Sequence, residues 1–280
     1  MAVEPGDSCQ SGNPTHIRPE QPNIQFCAPY RGSVKRKLYL FYHEGTVLLE
    51  ILQDEIVGCS RCPRLRVYTA EVARVKRRAY RDWEYWGKPV PSFGDPQARV
   101  LILGLAPGAH GSNRTGRMFT GDRSGDILYR VLYQTGFASQ PTSIRRGDGL
   151  TLHNLYITAA AHCAPPGNKP ALQEMRNCRP YFERELDLLK HLKVLVALGK
   201  IAFDQYLDVL KSRGIIPSRA PFVFGHNREF KTGAGQPRLI SSYHPSQQNT
   251  STGKLTEKML LEVFQRARDL GNPKPLLGHE

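Results

Sequence analysis

The chain is short of several things. Its 280 residues hold six cysteines, four methionines and two tryptophans, and 25 acidic side chains stand against 39 lysines and arginines. Six cysteines in a chain this long are too few for a disulfide scaffold. No run of apolar residues approaches the ~18 needed to cross a membrane, so a spanning helix is excluded. The first ten residues, MAVEPGDSCQ, lack the basic stretch followed by an apolar one that marks a secretory signal, and a cytoplasmic location is expected. No glycine loop ends in Gly-Lys-Ser/Thr and there is no clean G-x-G-x-x-G, so a Walker loop and a dinucleotide fingerprint are both missing. What is in excess is positive charge, a net +14. It points to an anionic partner, whether nucleic acid, a phosphate metabolite or a membrane face, and says nothing of fold.

Residues 1–43 are expected to be a flexible tail, since they are rich in Pro, Gly, Ser, Asn and Gln and cannot offset the entropy of ordering. Residues 44–271 are expected to form the folded domain, and 272–280 a second tail. Helical spacing of apolar residues marks Thr46–Val57 and a basic stretch from Thr69 to Trp83 that carries Arg74, Lys76, Arg77, Arg78 and Arg81. Four short apolar runs follow: Arg99–Leu105, Leu155–Ala161, Val194–Leu198 and Arg238–Tyr243. Each reads as a strand buried on both faces. Helical stretches separate them at Asp126–Thr135, at Ala171–Leu192 (with Pro180 expected to start a second helix inside it), at Lys200–Ser212 and at Thr256–Leu270. Strands alternating with helices imply crossover units. The expected fold is α/β, with three layers and a central four-stranded parallel sheet.

In open parallel sheets, ligands bind beyond the carboxyl ends of the strands. After the first run comes GLAPGAHGSNRTGRMFTGD at 104–122, with five glycines, two arginines (Arg114 and Arg117) and a single phenylalanine, Phe119. Its length and place suit a binding loop. After the fourth run comes HPSQQNTSTG at 244–253, where His244 would face that loop and Ser246–Thr252 could meet phosphates. Cys59 and Cys62 form a C-x2-C pair, and Cys163 and Cys178 have fourteen residues between them. Four thiolates so arranged could hold zinc or an iron–sulfur cluster, and one C-x2-C alone would equally fit a redox pair. Cys9 and Cys27 lie in the tail.

Together these strings resemble the uracil-DNA glycosylase superfamily, and most closely its family 5, the B-type iron–sulfur enzymes. The resemblance covers about Gly58 to Gly271. It rests on CPRL at 62–65, YWGKPVP at 85–91, the 104–122 loop, CAPPGNKP at 163–170, HPSQQNT at 244–250 and TGKLT at 252–256. It implies a [4Fe-4S] cluster on Cys59, Cys62, Cys163 and Cys178, structural rather than catalytic and carried by a loop added to the α/β fold. It implies a monofunctional glycosylase of base excision repair, acting as a monomer on double-stranded DNA that contains deaminated bases.

Asp122, His244 and Asn168 are the implied catalytic residues. Gly104, Ala106, Pro107, Gly108, Phe119 and Ser246 would hold the substrate, with Phe119 stacking on the flipped base. Arg114 and Lys254 would meet DNA. Many superfamily members carry a water-activating Asp or Asn where this chain has Ala106, an absence that family 5 shares. Where family 4 carries an Asn that reads uracil, this chain has Ala159, which implies a broader range that includes hypoxanthine. The other reading is a non-catalytic iron–sulfur protein that binds DNA or senses damage, with Ala106 as its support.

Overall fold

The computed structural model describes residues 34–272, with side chains from Gly45 on. Of the expected tails, at 1–43 and 272–280, residues 1–33 and 273–280 lie outside the described residues. Residues 40–272 belong to one compact unit, and the first helix begins before it. That helix, α1, runs Val34–Val57, so it ends where the sequence places its end but begins well before Thr46.

The order then runs α2 (Pro63–Val75), β1 (Phe93–Gly94), β2 (Val100–Gly104), α3 (Ser112–Thr115), α4 (Arg123–Gln134), β3 (Leu155–Ala159) and α5 (Leu172–Leu188). It continues with β4 (Val194–Leu198), α6 (Lys200–Ser212), β5 (Arg228–Phe230), β6 (Arg238–Ser242), α7 (Gln247–Ser251) and α8 (Glu257–Gly271). Single 3-10 turns stand at Arg78–Tyr80 and Pro166–Asn168.

The sheet corrects the expected four parallel strands. It has six strands in the order β1-β3-β2-β4-β6-β5 and is mixed. The four inner strands are the four apolar runs, and they pair in parallel. Short β1 and β5 add antiparallel edges. Alternation along the inner strands sorts side chains to two faces. Val100, Ile102, Val194, Val196 and Ile240 pack with α4 and α8. Leu101, Leu103, Leu195, Ala197 and Leu239 pack with α5 and α6. The result is three layers with both faces covered, which is why these strands read as unbroken apolar runs.

Two helices differ from expectation. The basic stretch is not a helix from Thr69 to Trp83. Pro63 starts α2 at its first turn, where a missing N–H costs nothing, and the chain leaves the helix at Lys76 with φ +57°. The stretch expected at Ala171–Leu192 holds a single helix, α5 (Leu172–Leu188), continuous through Pro180. Among the described residues no helix is long and apolar enough to cross a membrane.

Candidate active site

The sheet order sets the place of the site. From β2 the chain first adds β3 on one side, then returns to add β4 on the other. Such a reversal leaves a crevice outside the carboxyl ends of the two strands. A cavity of about 340 Å³ opens there. Leu105 follows β2, Leu198 and Gly199 close β4, and Tyr243 and His244 follow β6, with Phe224, Asn249 and Lys254 completing the wall.

His244 is half-buried, with its backbone carbonyl accepting from Asn249 Nδ2 at 2.8 Å. Among the described residues neither ring nitrogen has a hydrogen-bond partner, and the ring stacks on Phe119 with centroids 5.8 Å apart and planes 29° apart. Loss of solvent around the imidazole pushes its pKa down to about 4. At neutral pH it is therefore uncharged, with one N–H free to donate.

Phe119 pays backbone strain to stand there. Its φ is +51°, a conformation costing a bulky residue on the order of 1–3 kcal/mol. Two glycines permit it. A Cβ on Gly104 would stand 3.0 Å from the Phe119 ring, and one on Gly125 would stand 1.7 Å from the Phe119 carbonyl oxygen. Gly125→Ala must therefore displace the Phe119 backbone. It is expected to destabilise the fold by about 1–3 kcal/mol and to slow any reaction that uses the Phe119 ring. A urea midpoint unchanged from the parent would refute this packing.

Asp122 caps α4, accepting the Gly125 N–H at 3.1 Å through Oδ1. Its other oxygen lies over the glycine loop, where a Cβ on Gly111 would come within 2.1 Å of Oδ2 and one on Gly108 within 2.9 Å. Burial raises the Asp122 pKa, against the lowering pull of the Gly125 and Ser124 N–H groups. Capping thus uses one oxygen and leaves the second facing the loop that Gly104, Ala106, Pro107 and Gly108 begin.

Several expected residues stand elsewhere or do other work. Arg114 is only 4% exposed. Its Nε donates to the His110 carbonyl, its Nη2 donates to the Gly121 carbonyl, and its guanidinium lies 4.0 Å from the Tyr80 ring centroid and 4.1 Å from that of Trp83. It braces the loop. Asn168 is exposed in the turn after β3 with φ +57°, and no hydrogen bond joins its side chain to Asp122 or His244 among the described residues. Ser246 caps α7, its Oγ accepting from Asn249 N at 3.4 Å. Lys254 is exposed at the cavity with Nζ 4.9 Å from the Tyr243 ring centroid. Tyr243 and Phe224 were not anticipated as walls. Tyr243 closes the fourth apolar run and could have been found as the residue just before His244, whereas Phe224 carries no such signal.

The cysteines come from three places in the chain. Cys59 and Cys62 precede α2, Cys163 follows β3 and Cys178 lies in α5. Cys62, Cys163 and Cys178 are buried, and none of the four is in a disulfide. Burial and the neighbouring thiols push Cys163 and Cys178 up to about 12. The C-x2-C segment is clamped to α5: Arg64 grips Glu174 with two bonds of 2.7 and 2.6 Å, and Asn177 Nδ2 donates to the Arg61 carbonyl at 3.2 Å. No group of three or more His, Cys, Asp or Glu side chains among the described residues has the spacing to hold a metal ion.

Residues 91–268 match the family described as the uracil DNA glycosylase superfamily. The type-5 uracil-DNA glycosylase of Thermus thermophilus is 48% identical over 221 residues, 79% of this chain and 97% of that protein. That of Pyrobaculum aerophilum is 44% identical over 214 residues, 76% of this chain and 89% of the relative. The chain belongs to the uracil-DNA glycosylase superfamily, in its type-5 branch. The same Pyrobaculum also has a type-4 uracil-DNA glycosylase, only 27% identical over 199 residues, 71% of this chain and 83% of that enzyme. Ala106 sits half-buried after β2, and Ala159 ends β3 with its methyl in the core.

Proposed function

We propose that the chain hydrolyses the bond between uracil and deoxyribose in DNA, the first step of base excision repair, and that it also releases hypoxanthine. The observation that carries this reading is His244. It lines the switch-point cavity, stacks on Phe119 and keeps a neutral imidazole with both nitrogens unpaired.

The base must leave the stack to reach such a cavity, at a cost of a few kcal/mol that is smallest for a mismatched pair. Phe119 offers its ring to the flipped base. As the bond to deoxyribose breaks, negative charge moves onto the base and His244 donates to its carbonyl oxygen. A neutral donor is enough, because its task is to stabilise charge rather than to give up a proton. Ala106 can neither orient nor deprotonate water. Asp122 is the group that does so, through the oxygen its cap leaves free. Burial makes that oxygen more basic, in the direction that suits a proton acceptor. Asn168 is proposed as a further group for the base or the water, offered from the exposed turn after β3. Ala159 supplies no amide to select uracil, which supports the wider base range. A monomer suffices, since every group named comes from one chain.

Cys59, Cys62, Cys163 and Cys178 are proposed to hold a [4Fe-4S] cluster. Four unlinked thiols near one another fit it, and so does Arg66 near Cys163, whose buried Nη1 has no partner among the described residues. Each iron of such a cluster takes one thiolate, so its cysteines stand farther apart than the ligands of one zinc ion. The cluster would supply cohesion between the C-x2-C segment, the turn after β3 and α5, with no part in the chemistry.

A base-release panel tests the activity. Uracil, hypoxanthine, xanthine and etheno-cytosine are offered in single- and double-stranded DNA. Free uracil and hypoxanthine are expected from the duplex. Tight binding with no release of either base would instead make the chain a sensor of damage.

A further inference from the structure

A larger cleft, of about 670 Å³, lies against the outer side of the same glycine loop. Its floor is Arg114 and Thr115 of α3, one wall is the segment from Asp82 to Lys88, and the other is Arg145 and Arg146. Trp86 forms its platform. The indole donates to the Pro89 carbonyl at 2.9 Å and packs so closely on Gly116 that a Cβ there would stand 2.7 Å from the ring. Two cations flank it, Arg146 at 4.6 Å and Lys88 at 4.9 Å from the ring centroid.

The second wall is built rather than loose. Asp148 accepts the N–H groups of Ile144 and Arg145 at 2.9 and 3.2 Å, and takes two bonds from Arg117 at 2.8 and 2.6 Å. The Arg117 and Asp148 side chains are 5% and 10% exposed. Burying an ion pair is costly unless its hydrogen bonds are all made, and this one spends them on fixing the backbone that presents Arg145 and Arg146. Two neighbouring cations held in place, both exposed, make a surface ready for phosphates.

The cleft continues as a track. A second basic hollow at Arg77, Arg78 and Arg81 shares Asp82 with it. Arg77 lies close enough to His110 of the glycine loop to lower its pKa. Carboxylates are present too. Asp82 stands 3.8 Å from Arg81, and Glu84 lies in the wall, but the cations outnumber them. The Trp86 N–H donates to the Arg114 carbonyl at 2.9 Å and the Gly87 N–H to that of Asn113 at 3.1 Å, so cleft and catalytic loop share one framework.

We infer that this cleft holds the phosphate backbone of duplex DNA flanking the target base, with Arg145, Arg146 and Lys88 as the contacts and the Trp86 platform setting their place. The inference rests on the proposed function, since it takes the substrate to be DNA. None of these side chains takes part in the reaction.

The test uses the full chain and an Arg145→Ala/Arg146→Ala variant. Affinity for a uracil-free duplex of about 30 base pairs is measured by anisotropy across a salt series, and uracil release is timed in single turnover with enzyme saturating. The slope of log K against log salt is expected to shrink by about 2, since each phosphate contact contributes about 0.9, and affinity at low salt to fall about tenfold or more. The saturating rate stays at the parent value, which also shows the variant is folded. Unchanged affinity and slope overturn the inference, and so does a lowered saturating rate with unchanged affinity. If the parent protein releases no base yet binds with a slope that the variant loses, the proposed activity fails while the cleft stands.

Discussion

His244→Ala is expected to slow uracil release by about 10²–10³-fold at saturating DNA, the usual cost of removing one preorganised donor to a developing oxyanion. The ring contributes little else that alanine would disturb. Among the described residues it makes no hydrogen bond, and its backbone contact with Asn249 survives the change. DNA affinity should stay within a few-fold of the parent, because His244 carries no charge at neutral pH. His244→Gln, which keeps a donor, should recover part of the rate. A rate near the parent's in the alanine variant, with free base still appearing, would remove His244 from the mechanism.

The same residue predicts a pH effect on stability. Its folded pKa of about 4 lies below the ordinary 6.5, so between those values the unfolded chain binds a proton that the folded chain refuses. Stability therefore falls as pH drops through that window and is fully present above it. In His244→Gln this share of the acid sensitivity should vanish, as seen in urea midpoints between pH 7 and pH 4.

Cys178→Ser is expected to have the larger effect on the molecule as a whole. Where a metal group forms only in the folded state, its binding free energy is folding free energy, on the order of 10 kcal/mol for structural zinc. A cluster deprived of one of four thiolates loses much of that. The parent protein should be brown, absorbing near ~400 nm as thiolate-bound iron–sulfur clusters do. The variant should be colourless and unfold at a markedly lower temperature. The clamps at Arg64–Glu174 and Arg61–Asn177 hold the same elements, but the first is half-exposed on its Arg64 side and the second is exposed, so they replace little of the loss. A colourless parent protein with one bound zinc would overturn the cluster, and so would a variant as stable as the parent.

The parts of the fold legible in the sequence were those whose burial leaves a pattern. Strands covered on both faces read as apolar runs, and α6 has the span expected for it, Lys200–Ser212. Strands β1 and β5, of two and three residues, are too short to carry any period. The start of α2 at Pro63 was missed, the helix being placed from Thr69, and the arginines downstream drew it too far along the chain.

The site followed the same logic. His244, Phe119 and the loop from Gly104 to Asp122 were found because strand ends are where a parallel sheet puts ligands. For Arg114 the sequence shows the charge but not the Tyr80 and Trp83 rings that lie against it. Arg117 was seen as loop charge. Its partner Asp148 lies 31 residues on, and only the fold joins them.

The reversal of strand order has one more consequence, for how the protein comes into being. Leu105, Gly199 and His244 meet in one cavity although the chain passes through two other strands, β3 and β5, and through α3, α4, α5 and α6 between them. No early-formed hairpin or single crossover unit contains the pocket. It exists only once β6 has found its register on β4, Leu198 opposite Ser242, after the longest loop closures have been made. During refolding, the return of base release should therefore lag the return of helix and report completion of the sheet.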